Sequence, residues 1–213
     1  MTFTEKAISA FASQRFQCLW CDQHTLRLIN DDSALVGILR VHTSTEYMEV
    51  VNAATIGGRA GLGHILYAAA LVVAKQHGKK LRADSETVIG HSVSLWRKIW
   101  DDAAIPRQPL PFEMQQHEYN LELYEDLLWT NPSLSLSDDW LDWDNDKINN
   151  KISSQHLTPH VFNIGFEASS QLLGAFSSVI EESAMSAEDQ ELVRAFWEHR
   201  FGVGEYHEES VSE

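Results

Sequence analysis

Cysteine is scarce, with two among 213 residues, which leaves no material for a scaffold stapled by several disulfides. No apolar run has the length of a membrane span: the best one, Leu62 to Ala74, is too short and is interrupted by His64. The opening Met1-Thr-Phe-Thr-Glu-Lys6 has neither the basic start nor the apolar centre of a secretory signal. Together these absences lead us to expect a cytoplasmic protein. Base is also in short supply, and unevenly so. Residues 1–130 carry 15 acids and 12 bases, whereas residues 131–213 carry 16 acids and 4 bases, so most of the net charge of −15 belongs to the second part. Nucleic-acid grip draws most of its affinity from neutralised phosphates, and such a chain offers no basic stripe for it.

What the chain does have is 44% hydrophobic residues with seven Trp and nine Phe, enough for one well-filled core. Thr4 to Phe16 places Ile8 and Phe11 on one helical face, with Thr2 or Thr4 as cap. Cys18-Leu-Trp-Cys21 is a C-x-x-C, but it has no second pair to complete a zinc site and does not open a helix as a redox pair would, so small buried side chains are expected. Thr25–Asn30 and Ala34–His42 read as strands around the turn cluster Asp31-Asp32-Ser33, and Tyr47–Thr55 as a third strand of the same meander.

That third strand runs into Ile56-Gly-Gly-Arg-Ala-Gly-Leu-Gly-His64, with four glycines in seven residues, and then into an alanine-rich helix from Leu62 to His77. Strand, glycine loop and helix present backbone N–H groups to a phosphate: glycine permits close approach, and the helix start adds about half a positive charge. A P-loop would need Lys-Ser/Thr after its last glycine and finds His64-Ile65. The dinucleotide fingerprint would need a third glycine where Leu66 stands. Beyond the helix, Lys79–Asp84 reads as a strand parallel to the one before the loop, and Ser92–Trp100 as a further helix.

In the order and spacing of these parts, residues 25–101 resemble the core of the GNAT acyltransferase superfamily. Gly61-Leu62-Gly63 matches its Arg/Gln-x-x-Gly-x-Gly/Ala loop, and Leu95-Trp96-Arg97-Lys98 matches its Leu-Tyr-x-Lys helix. The resemblance implies an α+β fold with a mixed, mostly antiparallel central sheet flanked by helices, in which two neighbouring strands splay to admit a pantetheine arm. It implies acetyl-CoA or another acyl-CoA as coenzyme, held by Ala53, Thr55, Gly57, Gly58, Arg59, Ala60, Gly61, Leu62, Gly63 and His64. It also implies acyl transfer to an amine, with Glu49 as base, Asp84 and Glu86 as rivals, and Ser92 or Ser94 as acid. Structural roles stand beside these: Asp84 as a turn cap, the serines as caps of the following helix. Three positions depart from the family pattern. The Arg/Gln position falls on Gly58 with Arg59 beside it, the family's tyrosine acid falls on Trp96, and its pantetheine asparagine falls on Ile89. Those departures leave a second expectation open, a GNAT-like protein that does not catalyse and binds a basic protein partner through its acidic half. A homo-oligomer is compatible with either.

We therefore expect a GNAT-like acyl-CoA-binding domain over residues 1–130 and an acidic, mainly helical C-terminal extension over residues 131–213. Asp142, Asp144 and Asp146 imitate the start of a calcium loop, but Lys147 takes the glycine position and Ser153 that of the final glutamate, so no metal is expected. His156 and His160 have ligand spacing on a helix that Pro159 would break. Val161–Ser183 reads as one helix with a broad apolar face, and a second helix starts at Ser186.

Overall fold

The computed structural model describes residues 1–13, 15–56, 61–83, 91–109 and 164–201. In chain order these form α1 (Phe3–Ala12), β1 (Phe16–Cys21), β2 (Thr25–Asn30), β3 (Leu35–Thr43), β4 (Tyr47–Thr55), α2 (Leu62–Gln76), β5 (Lys80–Ala83), α3 (His91–Asp101), β6 (Arg107–Pro109), β7 (Ile164–Phe166), α4 (Ser170–Phe176), β8 (Ile180–Ser183) and α5 (Ala187–Phe201). The fold is α+β, and the eight strands make one sheet in the order β6-β7-β5-β4-β3-β2-β1-β8. Only the β4–β5 and β1–β8 pairs are parallel; the others are antiparallel.

Local chemistry explains most of the elements. Thr2 Oγ1 accepts from the Glu5 N–H at 3.2 Å while the Thr2 N–H donates to Glu5 Oε2 at 2.9 Å, a reciprocal cap that starts α1. The β2–β3 turn is organised by Asn30, whose Oδ1 accepts from the N–H groups of Asp32 (3.1 Å) and Ala34 (2.9 Å), with Ser33 in the left-handed region. Ser186 and Asp189 cap each other at the start of α5.

Two readings of the sequence are corrected, and the expectation that both cysteines are small buried side chains is borne out. The N-terminal helix stops at Ala12, and Phe16–Cys21 is itself a strand, so the meander has four strands. In a strand, residues three apart face opposite sides. Cys18 sits among the core side chains while Cys21 lies near Arg27 on the other face, which separates the C-x-x-C thiols. Val161–Ser183 is not a single helix, since its described part is β7, α4 and β8. These elements join the sheet made by the first hundred residues: β7 inserts between β5 and β6, and β8 extends the sheet beyond β1.

The core lies on one face of the sheet, centred on α2. Residues His64 to Ala74 of α2 are all buried, because the helix has the sheet on one side and α1 and α4 on the other. Its four small alanines let those helices approach closely, while Leu66, Leu71, Val72 and Val73 supply the apolar bulk. Tyr67, Trp96 and Phe166 form an aromatic cluster with centroid separations of 5.2 and 5.6 Å, which ties α2 and α3 to β7. The opposite face is covered by α5, whose Val193 and Trp197 pack on Ile38 and Ala54. A salt bridge of 2.6 Å from Arg27 to Asp189 fixes that helix to β2.

Candidate functional site

The β4–β5 boundary is where the sheet changes character. Parallel pairing joins Tyr47–Val50 to Lys80–Ala83, one residue against one. At the next position β4 bulges: Val41 is opposite Val50 and Arg40 is opposite Asn52, so Val51 is an extra residue without a cross-strand partner. A bulge bends its strand and increases the local twist. Among the described residues nothing pairs with β4 on the β5 side beyond Val50, although β4 continues to Thr55 alongside β3. The Ile56 N–H donates to the Val36 carbonyl at 3.0 Å, which fixes the alternation: Ala54 and Ile56 bond towards β3, while the N–H and C=O of Ala53 and Thr55 point away from it. Val51 is 43% exposed, which is high for a valine in an interior strand and follows from its place on the bulge.

The loop after β4 delivers the chain to α2. Gly57, Gly58, Arg59 and Ala60 lie outside the described residues. Gly61 is the N-cap of α2 at φ +97°, and a Cβ there would stand 2.6 Å from the Ala10 Cβ. Both the backbone angle and the contact demand glycine. No side chain caps the helix, so its first N–H groups have no side-chain acceptor. Leu62 is buried under the sheet, and a Cβ at Gly63 would meet Leu95 of α3 at 3.0 Å, so this glycine serves close helix packing. His64 is 6% exposed, stacks on Phe3 at 5.5 Å, and its Nε2 has no hydrogen-bond partner. Burial pushes its pKa down to about 4, and Lys6 of α1 and Lys98 of α3 push the same way. The imidazole is therefore neutral at pH 7, and the positive charge around the start of α2 comes from the two lysines and the helix dipole.

The catalytic candidates are not gathered at one point. Glu49 is 8% exposed and is held by Arg82, whose Nε–H donates to Glu49 Oε2 at 2.5 Å while a second guanidinium nitrogen also contacts that oxygen. The same guanidinium lies over the Tyr47 ring at 3.8 Å. Glu49 alternates with Met48 and Val50, which face the core, so its carboxylate is on the other side of the sheet from α3. Ser92 is half-buried and Ser94 exposed, both near the start of α3, and each makes contacts of its own. Asp84, Glu86 and Ile89 lie outside the described residues, as do Asp142, Asp144, Asp146, His156 and His160. Trp96 is buried in the aromatic cluster and has no acid to offer. Among the described residues there is no group of three or more His, Cys, Asp or Glu that could hold a metal, and no helix long and apolar enough to cross a membrane.

Arg82 and the Val51 bulge escaped the sequence reading. Arg82 becomes a partner of Glu49 only when the parallel register puts the two opposite each other. The run Val50-Val51-Asn52 carries no glycine or proline to advertise a bulge. No family model matches the chain, and no curated protein or solved structure matches it either.

Proposed function

We propose that this protein is an acyltransferase that moves an acetyl or other acyl group from acyl-CoA to an amine, on a GNAT-like fold. The observation that carries the reading is the Val51 bulge, where the described β4–β5 pairing ends, with the backbone of Ala53 and Thr55 turned away from β3. The mixed, mostly antiparallel sheet is compatible with that fold. In this reading the pantetheine arm lies along the side of β4 that faces away from β3 and bonds to those groups as a further strand would. The diphosphate lies over the start of α2, where uncapped N–H groups, Lys6 and Lys98 favour negative charge. The thioester carbonyl takes its hydrogen bonds from the β4 backbone, in the manner of an oxyanion hole. The amine nitrogen attacks the carbonyl carbon and its proton passes to Asp84, or to Glu49 for an acceptor that enters from the face opposite α3. The C–S bond then breaks, and the departing thiolate takes up a proton relayed through the hydroxyl of Ser92 or Ser94, which regains it from water.

A second reading, a GNAT-like protein that binds a basic partner and does not catalyse, draws support from two residues. Glu49 is engaged by Arg82, and Trp96 fills the core at the family's acid position. Acetyl-CoA separates the two. At about 100 times its dissociation constant it should stabilise the protein by roughly 2.7 kcal/mol, seen as a rise in melting temperature. Addition of an acceptor amine should then release free thiol. No thermal shift with any acyl-CoA removes the transferase reading; a shift without thiol release across an amine panel leaves a coenzyme-binding protein.

A further inference from the structure

A concavity lies away from β4 and the start of α2. Where α1 gives way to β1 and β2 turns into β3, a solvent-open cleft of about 580 Å³ is lined by Ala12, Arg15, Phe16, Asn30, Asp31 and Asp32, among others. That volume is in the range of small-ligand sites, roughly 300 to 1,000 Å³. Its walls carry opposite charges that do not meet. Among the described residues neither Arg15 nor Asp31 has a hydrogen-bond or ion-pair partner, although both line the same cleft.

Backbone pairing sets the two residues next to each other, just beyond the last paired position of β1 and β2. Arg15 sits in the short link between α1 and β1, whose start is fixed by pairing of Phe16 with Asn30. Asp31 is carried by the turn that Asn30 holds through the N–H groups of Asp32 and Ala34, with Ser33 left-handed at φ +61°. Asp32 is drawn to Asn30 as well, its Oδ2 accepting from the Asn30 amide at 3.5 Å, so Asp31 is the carboxylate left over. Phe16 and Ala12 supply apolar wall beside the two charges. With two carboxylates to one guanidinium, the cleft does not favour a phosphate or another multiply charged anion. A ligand with one charge of each sign matches it.

We propose that this cleft binds a small zwitterion of the α-amino acid type, with its carboxylate on Arg15, its ammonium on Asp31 and its side chain against Phe16. The proposal does not depend on acyl transfer. Its test is calorimetric titration of the full chain with L-leucine, L-glutamate and L-lysine, and with N-acetyl-L-leucine and L-leucinamide, which lack the ammonium and the carboxylate respectively. The free amino acids should bind, and each blocked leucine should bind roughly tenfold or more weakly. Arg15→Ala should weaken L-leucine by a similar factor but leave L-leucinamide unchanged, and Asp31→Asn should weaken L-leucine but leave N-acetyl-L-leucine unchanged. Both residues are exposed, and unchanged melting temperatures will verify that the variants fold. Absence of heat with all three amino acids, or L-leucine binding that neither substitution alters, overturns the proposal.

Discussion

Replacing His64 with Phe tests the environment assigned to the start of α2. The imidazole is buried against Phe3 with an unpartnered Nε2, and its pKa falls from an ordinary 6.5 to about 4. The unfolded chain therefore takes up a proton at a pH where the folded chain refuses it. Stability from this group is fully present above pH 6.5 and is lost as the pH falls towards 4. At a limiting slope of 1.36 kcal/mol per pH unit, the loss between pH 7 and pH 5 is about 2 kcal/mol. Phe keeps the ring stack and removes the proton site. The assay is urea unfolding of wild type and His64→Phe at pH 7, 6 and 5. Other titrating groups contribute to both proteins and cancel in the difference. Wild type should lose about 2 kcal/mol more than the variant over that interval, and the variant should be no less stable at pH 7, since no hydrogen bond is lost. Parallel pH profiles would refute the burial and charge environment described here.

Two further substitutions probe what holds the site in place. Gly61→Ala should cost about 1–3 kcal/mol, from the left-handed backbone and the 2.6 Å approach to Ala10, and adding Ala10→Gly should recover the part due to contact. A Gly61→Ala protein as stable as wild type in denaturant titration contradicts the geometry. Asp189→Ala leaves the 3% exposed Arg27 guanidinium without its carboxylate and should cost about 1–3 kcal/mol, with faster amide exchange along α5. Unchanged exchange in α5 would mean that Val193 and Trp197 hold the helix unaided.

The sequence was most legible where one period ran long enough to be counted. Leu62–Gln76, Tyr47–Thr55 and the parallel crossover to β5 were all readable, because an alanine-rich apolar run after four glycines admits few other structures. Thr2 and Ser186 were readable as caps by their chemistry. Short strands were not. β7 and β8 have three and four residues, fewer than any period needs, and they flank an apolar helical stretch into which both were read. β1 was obscured by its own cysteines, which drew the eye to a C-x-x-C whose side chains the pleat sends to opposite faces. The site was half legible. Glycines marked the turn into α2, but the bulge falls at an ordinary valine, and Glu49 is engaged by an arginine 33 residues away.

Acyl-CoA binding along the side of β4 that faces away from β3 is the central proposal. Backbone amide NMR of the full chain titrated with acetyl-CoA reads this most directly. Ala53 and Thr55 should shift together with Leu62, Gly63 and His64 at the start of α2, while Ala54 and Ile56, bonded to β3, should move less. A titration that leaves Ala53 and Thr55 unmoved, or perturbs only residues remote from β4 and α2, contradicts it.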